Sequence, residues 1–217
     1  RTPSRKTLDE FEEEFALKGR VVLALVARLD RIKGQDLALR AVALLRKQFP
    51  SIKLIMVGNG SFSGSKSGGL ALPKATLWKK ELDGIISEYD LDDVVTMTGY
   101  LPDNMIPCLY SRMDVLLLPS YIEGFGLTAL EAWQHRKPVV VSKGAGVSEL
   151  VDDGINGCTH DQGDYEDLAY QVAQVLRNSA PEKMGEAGYE KGRTFRVDST
   201  STILKTVFEE TVAGHNG

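Results

Sequence analysis

Two cysteines in 217 residues, Cys108 and Cys158, are too few for a disulfide framework or a four-ligand zinc site. Both stand in largely apolar stretches and read as buried free thiols. Histidine is as scarce. His135, His160 and His215 lie far apart, none belongs to a zinc-type pair, and each reads as a surface or capping residue. No metal site is therefore expected. No apolar run approaches the roughly 18 residues of a membrane span, so no transmembrane segment is expected. Positive charge does not predominate either. Lys and Arg number 26 against 30 Asp and Glu, a formal net charge of −4. That balance argues against nucleic acid as a partner, because phosphate neutralisation needs a clustered basic surface. The first residue is Arg1 and nothing near it reads as a signal peptide, so a piece of a longer, cytoplasmic polypeptide is expected.

What is present is an ordinary globular composition, 42% hydrophobic and 26% charged, in a chain long enough for one sizeable core. Residues 1–19 are polar and acidic. Leu8, Phe11 and Phe15 form a thin apolar stripe at helical spacing, which reads as a solvated linker helix. Thereafter two patterns alternate. Val21–Ala27 is a continuous apolar run, as in a strand buried on both faces. Further strands are expected at Ile52–Val57, Val94–Thr98, Val115–Leu118, Pro138–Val141 and Gly157–Thr159. Helical spacing marks Gln35–Lys47, Leu77–Tyr89, Leu127–His135, Ser148–Val151, Tyr165–Asn178, Pro181–Thr194 and Ser199–Ala213. Such alternation predicts an α/β fold, a doubly wound parallel sheet with right-handed crossovers. The domain is expected over 20–197, with a C-terminal helix and tail over 198–217. A Gly/Ser-rich segment, 61–72, interrupts the rhythm and reads as a flexible surface insert.

Some familiar-looking signals do not hold up. Gly58-Asn59-Gly60 invites a dinucleotide site, but no helix opens directly after it and no acidic residue ends a strand some 20 positions on. An NAD-dependent oxidoreductase is thus disfavoured. Gly64-Ser65-Lys66-Ser67 resembles the end of a P-loop, yet Ser65 separates Gly from Lys and the phosphate-cradling nest is not formed.

An open α/β sheet binds ligands beyond the carboxyl ends of its strands, so the loops there matter most. After the first strand, Arg28 and Lys33 are two cations suited to a doubly charged phosphate group; Arg31 either joins them or faces outward. The plainer alternative for all three is a charged surface turn. After the fourth strand, Gly124 and Gly126 flank Phe125, letting the backbone turn sharply and approach a ligand. The helix that follows offers unpaired N–H groups near Leu127 and Thr128, which favour a bound anion such as a diphosphate. Glu123 precedes that helix and Glu131 lies in its second turn. A carboxylate is an acceptor-only group suited to sugar hydroxyls. A glycosidase pair would need the two carboxyls to face each other across a scissile bond, about 5–9.5 Å apart, and would leave Arg28 and Lys33 unexplained.

Glu123, seven residues, then Glu131 matches the E-x7-E motif. Around it stand Arg28 with Lys33-Gly34, Val57-Gly58-x-Gly60, Gly99-Tyr100-Leu101, and Gly144-Ala145-Gly146-Val147-Ser148-Glu149-Leu150-Val151 with Gly154 and Gly157. In this order, over about residues 20–178, these resemble the retaining glycosyltransferases of the GT-B fold, in particular glycosyltransferase family 4 (glycosyl transferases group 1). The resemblance implies the C-terminal, donor-binding half of such an enzyme, whose missing N-terminal GT-B domain supplies most acceptor contacts. It implies transfer of a hexose from a UDP- or GDP-sugar, with retention and without a metal or other cofactor, to a polysaccharide, lipid or small-molecule acceptor. Arg28 and Lys33 would clamp the donor diphosphate, Glu123 would bind the sugar hydroxyls, and Gly124, Phe125 and Gly126 would line the sugar. Leu127 and Thr128 would hold the phosphate, Glu131 the ribose, and Tyr100 and Leu101 the base. The chain alone is then expected to be nearly inactive, and its parent to be associated with membrane where the acceptor is a lipid. Two departures stand out: Ala145 replaces a glycine frequent in the family, and the 61–72 insert is longer than usual. A non-catalytic nucleotide-binding or scaffold module of the same fold is the alternative, disfavoured by the presence of Arg28, Lys33 and Glu123.

Overall fold

A computed structural model describes residues 3–60, 72–178 and 180–193. In chain order the elements are α1 (Arg5–Glu14), β1 (Val21–Val26), α2 (Gln35–Leu45), β2 (Ile52–Val57), α3 (Leu72–Glu88), β3 (Val95–Gly99) and α4 (Ile106–Arg112). There follow β4 (Val115–Leu118), α5 (Leu127–Gln134), β5 (Val139–Ser142), β6 (Gly157–His160), α6 (Tyr165–Arg177) and α7 (Pro181–Gly192). Short 3-10 turns cover Arg31–Lys33 and Gly146–Leu150. The strands form one parallel sheet in the order β3-β2-β1-β4-β5-β6, with Val21 opposite Ile52 and Leu116 opposite Val139. The order reverses between β1 and β4, and that crevice is where such folds take their ligands.

The apolar runs are continuous because the sheet has a core on each face. Alternate residues of one strand enter opposite cores. Leu23, Leu25, Leu54 and Met56 pack under α2, α3 and α6, while Val22, Ala24, Ile55 and Val57 pack under α1, α4 and α5. Cys158 belongs to the first core and Cys108 to the second, so the sheet separates the two free thiols. Burial pushes both thiols up, away from the reactive thiolate. No helix among the described residues is long and apolar enough to cross a membrane.

Three expectations need correction. The acidic N-terminal helix forms, capped by the Ser4 hydroxyl accepting from the Thr7 amide at 3.1 Å, but it is not solvated all round. Phe11 and Leu17 are buried, and Glu12 pairs with the largely buried Arg112 of α4 at 2.5 Å. A thin stripe suffices here because α4 supplies both a groove and a cation. Helix α4 itself was not anticipated, and α3 begins at Leu72 rather than Leu77. Pro107 and Pro73 look like breakers, yet each falls in a first turn, where no N–H is needed. His160 is fully buried rather than superficial. The Gly/Ser segment up to residue 71, the helix expected at Ser199–Ala213 and His215 lie outside the described residues.

His160 carries a pH prediction. Its Nδ1 lies 2.9 Å from the Asp161 carbonyl, which fixes that nitrogen as the donor, and Nε2 has no partner among the described residues. Burial therefore holds the imidazole pKa below its usual value, outweighing the raising effects of the Asp161 carbonyl and nearby aspartates. The unfolded chain binds the proton first on acidification. Stability is then full above the unfolded pKa of about 6.5 and falls, at up to about 1.4 kcal/mol per pH unit, until the folded pKa is passed. Urea midpoints taken from pH 7.5 to 5 should show this slope, and His160→Gln should flatten it. An unchanged slope in the variant would assign the acid sensitivity elsewhere.

Candidate nucleotide-sugar site

A cavity of about 550 Å³ opens at the carboxyl ends of β1, β2, β3 and β4, within the range of small-ligand sites. Its walls are loops whose shape follows from short-range requirements. After β1, the Asp30 carboxylate accepts from the Ile32 amide at 3.3 Å and opens the Arg31–Lys33 turn. Gly34 ends that turn with φ +67°, and a Cβ there would stand 2.2 Å from the Pro119 carbonyl oxygen. The fully buried Gln35 then braces the loop. Its Nε2 donates to the Arg28 carbonyl at 2.8 Å, and its Oε1 accepts from Trp78 Nε1 at 3.0 Å.

The loop after β4 is stitched to its neighbours. The Tyr121 amide donates to the Ile32 carbonyl at 2.8 Å, and the Val147 amide to the Phe125 carbonyl at 2.6 Å. Glu123 bridges to Ala145, and Gly146 lets the two segments close up, since a Cβ on it would lie 2.4 Å from the Gly124 carbonyl oxygen. Ala145 is extended, with φ −91° and ψ 137°, so alanine costs nothing at that position. Gly126 precedes α5 at φ +100° and provides no side-chain cap, leaving the first amides of α5 without a capping side chain at the cavity wall.

Of the residues singled out from sequence, Arg28, Lys33, Tyr100, Leu101, Glu123, Phe125, Gly126, Leu127 and Thr128 all line this cavity. Gly124 and Glu131 are adjacent and are not among its lining residues. The cations are not bare. Lys33 Nζ lies 2.7 Å from Glu123 Oε2, with both side chains about five-sixths buried, at 16% and 17% exposure. Ser120 Oγ is 3.4 Å from the same oxygen. The Arg28 guanidinium meets the Asp30 carboxylate at 3.0 Å. Arg31 takes the outward alternative, pairing with Glu81 and lying over the Trp78 ring 4.6 Å from its centroid. Sequence reasoning passed over Asn59, Asp103 and Ile106, which complete the wall. Asn59 was signalled by its position just past β2, inside the motif dismissed as dinucleotide-like. Among the described residues no group of three or more His, Cys, Asp or Glu lies together as a metal site would need.

The arrangement offers cations and helix amides on one side, carboxylates between them, and an apolar wall from Val26, Leu101 and Ile106. It can hold a molecule that is part anion, part polyol and part flat apolar ring.

Comparisons with known proteins agree with this architecture. Residues 7–191 match the family described as glycosyl transferases group 1. The D-inositol 3-phosphate glycosyltransferase of Mycolicibacterium vanbaalenii is 33% identical over 202 residues, covering 89% of this chain and 42% of that protein. The enzyme of that name from Corynebacterium kroppenstedtii is 30% identical over 192 residues, covering 88% and 41%. The chain thus spans about two-fifths of the length of these relatives. Anabaena HepE in complex with UDP superposes with a TM-score of 0.80 at 23% identity, over 96% of this chain and 54% of that one. The C-terminal domain of a Francisella tularensis glycosyl transferase group 1 protein superposes with a TM-score of 0.74 at 22% identity, over 90% of this chain and 96% of that one. The sheet order, the loops gathered at its switch point and the match over residues 7–191 lead to one conclusion: the chain belongs to the glycosyl transferases group 1 family.

Proposed function

We propose that this chain is the donor-binding, C-terminal half of a retaining glycosyltransferase of family 4, and that its cavity holds a nucleoside diphosphate sugar. One observation carries the reading: Lys33 and Glu123 meet at 2.7 Å in the cavity, beside Arg28 and the uncapped start of α5. A diphosphate fits the cations and the α5 amides, which are suited to an anion in both charge and direction. A sugar fits the freed Glu123 carboxylate. The base fits the wall of Tyr100, Leu101 and Ile106.

In transfer, the bond between the anomeric carbon and the diphosphate oxygen breaks, and a bond from the acceptor hydroxyl to that carbon forms. The acceptor proton leaves toward the departing diphosphate. Arg28, Lys33 and the α5 amides stabilise the charge that gathers on the leaving oxygen, and Glu123 holds the sugar. In this reading the two cations perform the neutralisation that other transferases assign to a metal ion. UDP is favoured by the likeness to proteins crystallised with UDP and UDP-glucose. The acceptor surface belongs to a second, N-terminal Rossmann-like domain, in keeping with the two-fifths coverage of the relatives. The chain alone then binds donor weakly and turns over little.

Calorimetric titration with UDP, GDP, ADP and NAD tests the reading. One nucleoside diphosphate should bind in the micromolar to millimolar range, and NAD should not. Binding of NAD alone, or of none of the four by a folded chain, would sink it.

A further inference from the structure

One turn below the cavity, α4 and α5 touch through a partly buried hydrogen bond. Ile106 opens α4 and Leu127 opens α5, and both line the cavity. Tyr110 and Glu131 follow four residues later on the same faces of those helices. The Tyr110 hydroxyl donates to Glu131 Oε2 at 2.6 Å. Tyr110 is 1% exposed, and the His135 ring stacks on it with centroids 5.1 Å apart and planes 18° from parallel. His135 is anchored in turn, its Nδ1 lying 2.9 Å from the Glu131 carbonyl oxygen.

The two oxygens of the Glu131 carboxylate therefore differ. Oε2 is held by a buried phenol, in a charge-assisted bond of the stronger kind. The residue is otherwise exposed, and Oε1 has no partner among the described residues. Burial and the neighbouring carboxylate keep the phenol protonated, so it remains a donor. A free glutamate side chain would lose rotamer freedom on binding a ligand. One already held by Tyr110 has less to lose. The bond also ties the wall carrying Tyr100 and Ile106 to the wall carrying Phe125 and Thr128.

We propose that Tyr110 is a positioning residue that presents Glu131 to the ribose hydroxyls of the bound nucleotide, and so sets the preference of the cavity for ribonucleoside diphosphates. The inference rests on the nucleotide-sugar reading above, in which Glu131 is the ribose carboxylate. Tyr110 acts through Glu131 and touches no ligand.

The test measures Kd for UDP and for 2′,3′-dideoxy-UDP by calorimetry on each of four proteins: wild type, Tyr110→Phe, Glu131→Gln and the double variant. The ratio of the two constants is the readout. Wild type should prefer UDP. Tyr110→Phe should cut that preference about fivefold by weakening UDP alone, as expected for loosening one charge-assisted contact. Glu131→Gln should abolish the preference, and the double variant should match Glu131→Gln. If Glu131→Gln abolishes the ratio while Tyr110→Phe keeps it, the positioning role falls and the ribose reading stands. If Glu131→Gln keeps the ratio, the ribose reading falls and the inference with it. A merely structural Tyr110 would lower the thermal midpoint and weaken both ligands alike, which also overturns the proposal. Should Tyr110→Phe fail to fold, His135→Ala removes the ring that packs on Tyr110, together with its contact to the Glu131 backbone carbonyl, and leaves the Tyr110 hydroxyl in place. It should then produce a smaller loss of the same ratio, and an unchanged ratio would count against the role.

Discussion

Replacing Arg28 and Lys33 together with alanine is expected to weaken UDP binding by about two to four orders of magnitude, which takes a millimolar or micromolar site out of measurable range. Hydrogen bonds to charged groups contribute about 1.5–3 kcal/mol each, and every 1.4 kcal/mol is about tenfold in Kd. Both side chains line the cavity, and among the described residues no other Lys or Arg does. The double substitution also leaves two carboxylates, Asp30 and Glu123, without their present cations. Glu123 is only 17% exposed, so losing Lys33 destabilises the fold as well. Lys33→Met with Glu123→Gln removes both charges at once and separates the two effects. That pair should restore the thermal midpoint without restoring UDP affinity. Calorimetry showing UDP affinity within threefold of wild type in a folded Arg28→Ala/Lys33→Ala protein would refute the assignment of these cations to the diphosphate.

Gly34→Ala should destabilise the chain by about 3 kcal/mol and move Lys33 off Glu123, while Gly84→Ala should stabilise it by about 0.5–1 kcal/mol. At Gly34 the backbone is left-handed, with φ +67°, a conformation that costs an alanine about 1 kcal/mol. The new Cβ would also stand 2.2 Å from the Pro119 carbonyl oxygen, and relieving such overpacking costs a further ~1–3 kcal/mol. Since Pro119 directly follows β4 and opens the Glu123 loop, relief must part the two loops that carry Lys33 and Glu123. Gly84 lies exposed within α3, where an added Cβ would meet nothing within 4 Å. There alanine gains only helix propensity. Urea denaturation of the two variants checks both signs in one experiment. Equal midpoints would show that the loop yields without resistance.

Much of the architecture was legible in particular segments. Val21–Ala27 reads as a doubly buried strand because seven apolar residues in succession fit no one-sided element. Leu127 reads as a helix start because the glycine-flanked turn Gly124–Gly126 precedes it. The site was legible for the same reason: in a parallel α/β sheet the residues just past each strand must gather at one edge. Helix α4 was not legible, because Pro107 reads alike in a breaker and in a helix first turn. The burial of Phe11 was hidden too, since nothing within residues 1–19 indicates that Arg112 waits to receive Glu12.

The sequence by itself determined the alternation of strands and helices, the parallel sheet, and which loops carry the polar residues of the cavity. Those features are written in apolar periodicity and in glycine positions, both of which act over a few residues. Only the tertiary structure decided how those polar residues are used. Lys33 and Glu123 are 90 positions apart, Tyr110 and Glu131 are 21 apart, and Gln35 reaches Trp78 across 43. Arg31, next to Lys33 but one in the chain, is turned outward onto Trp78. A charge has no period and no local partner preference, so which acid meets which base is settled only when packing brings distant loops together.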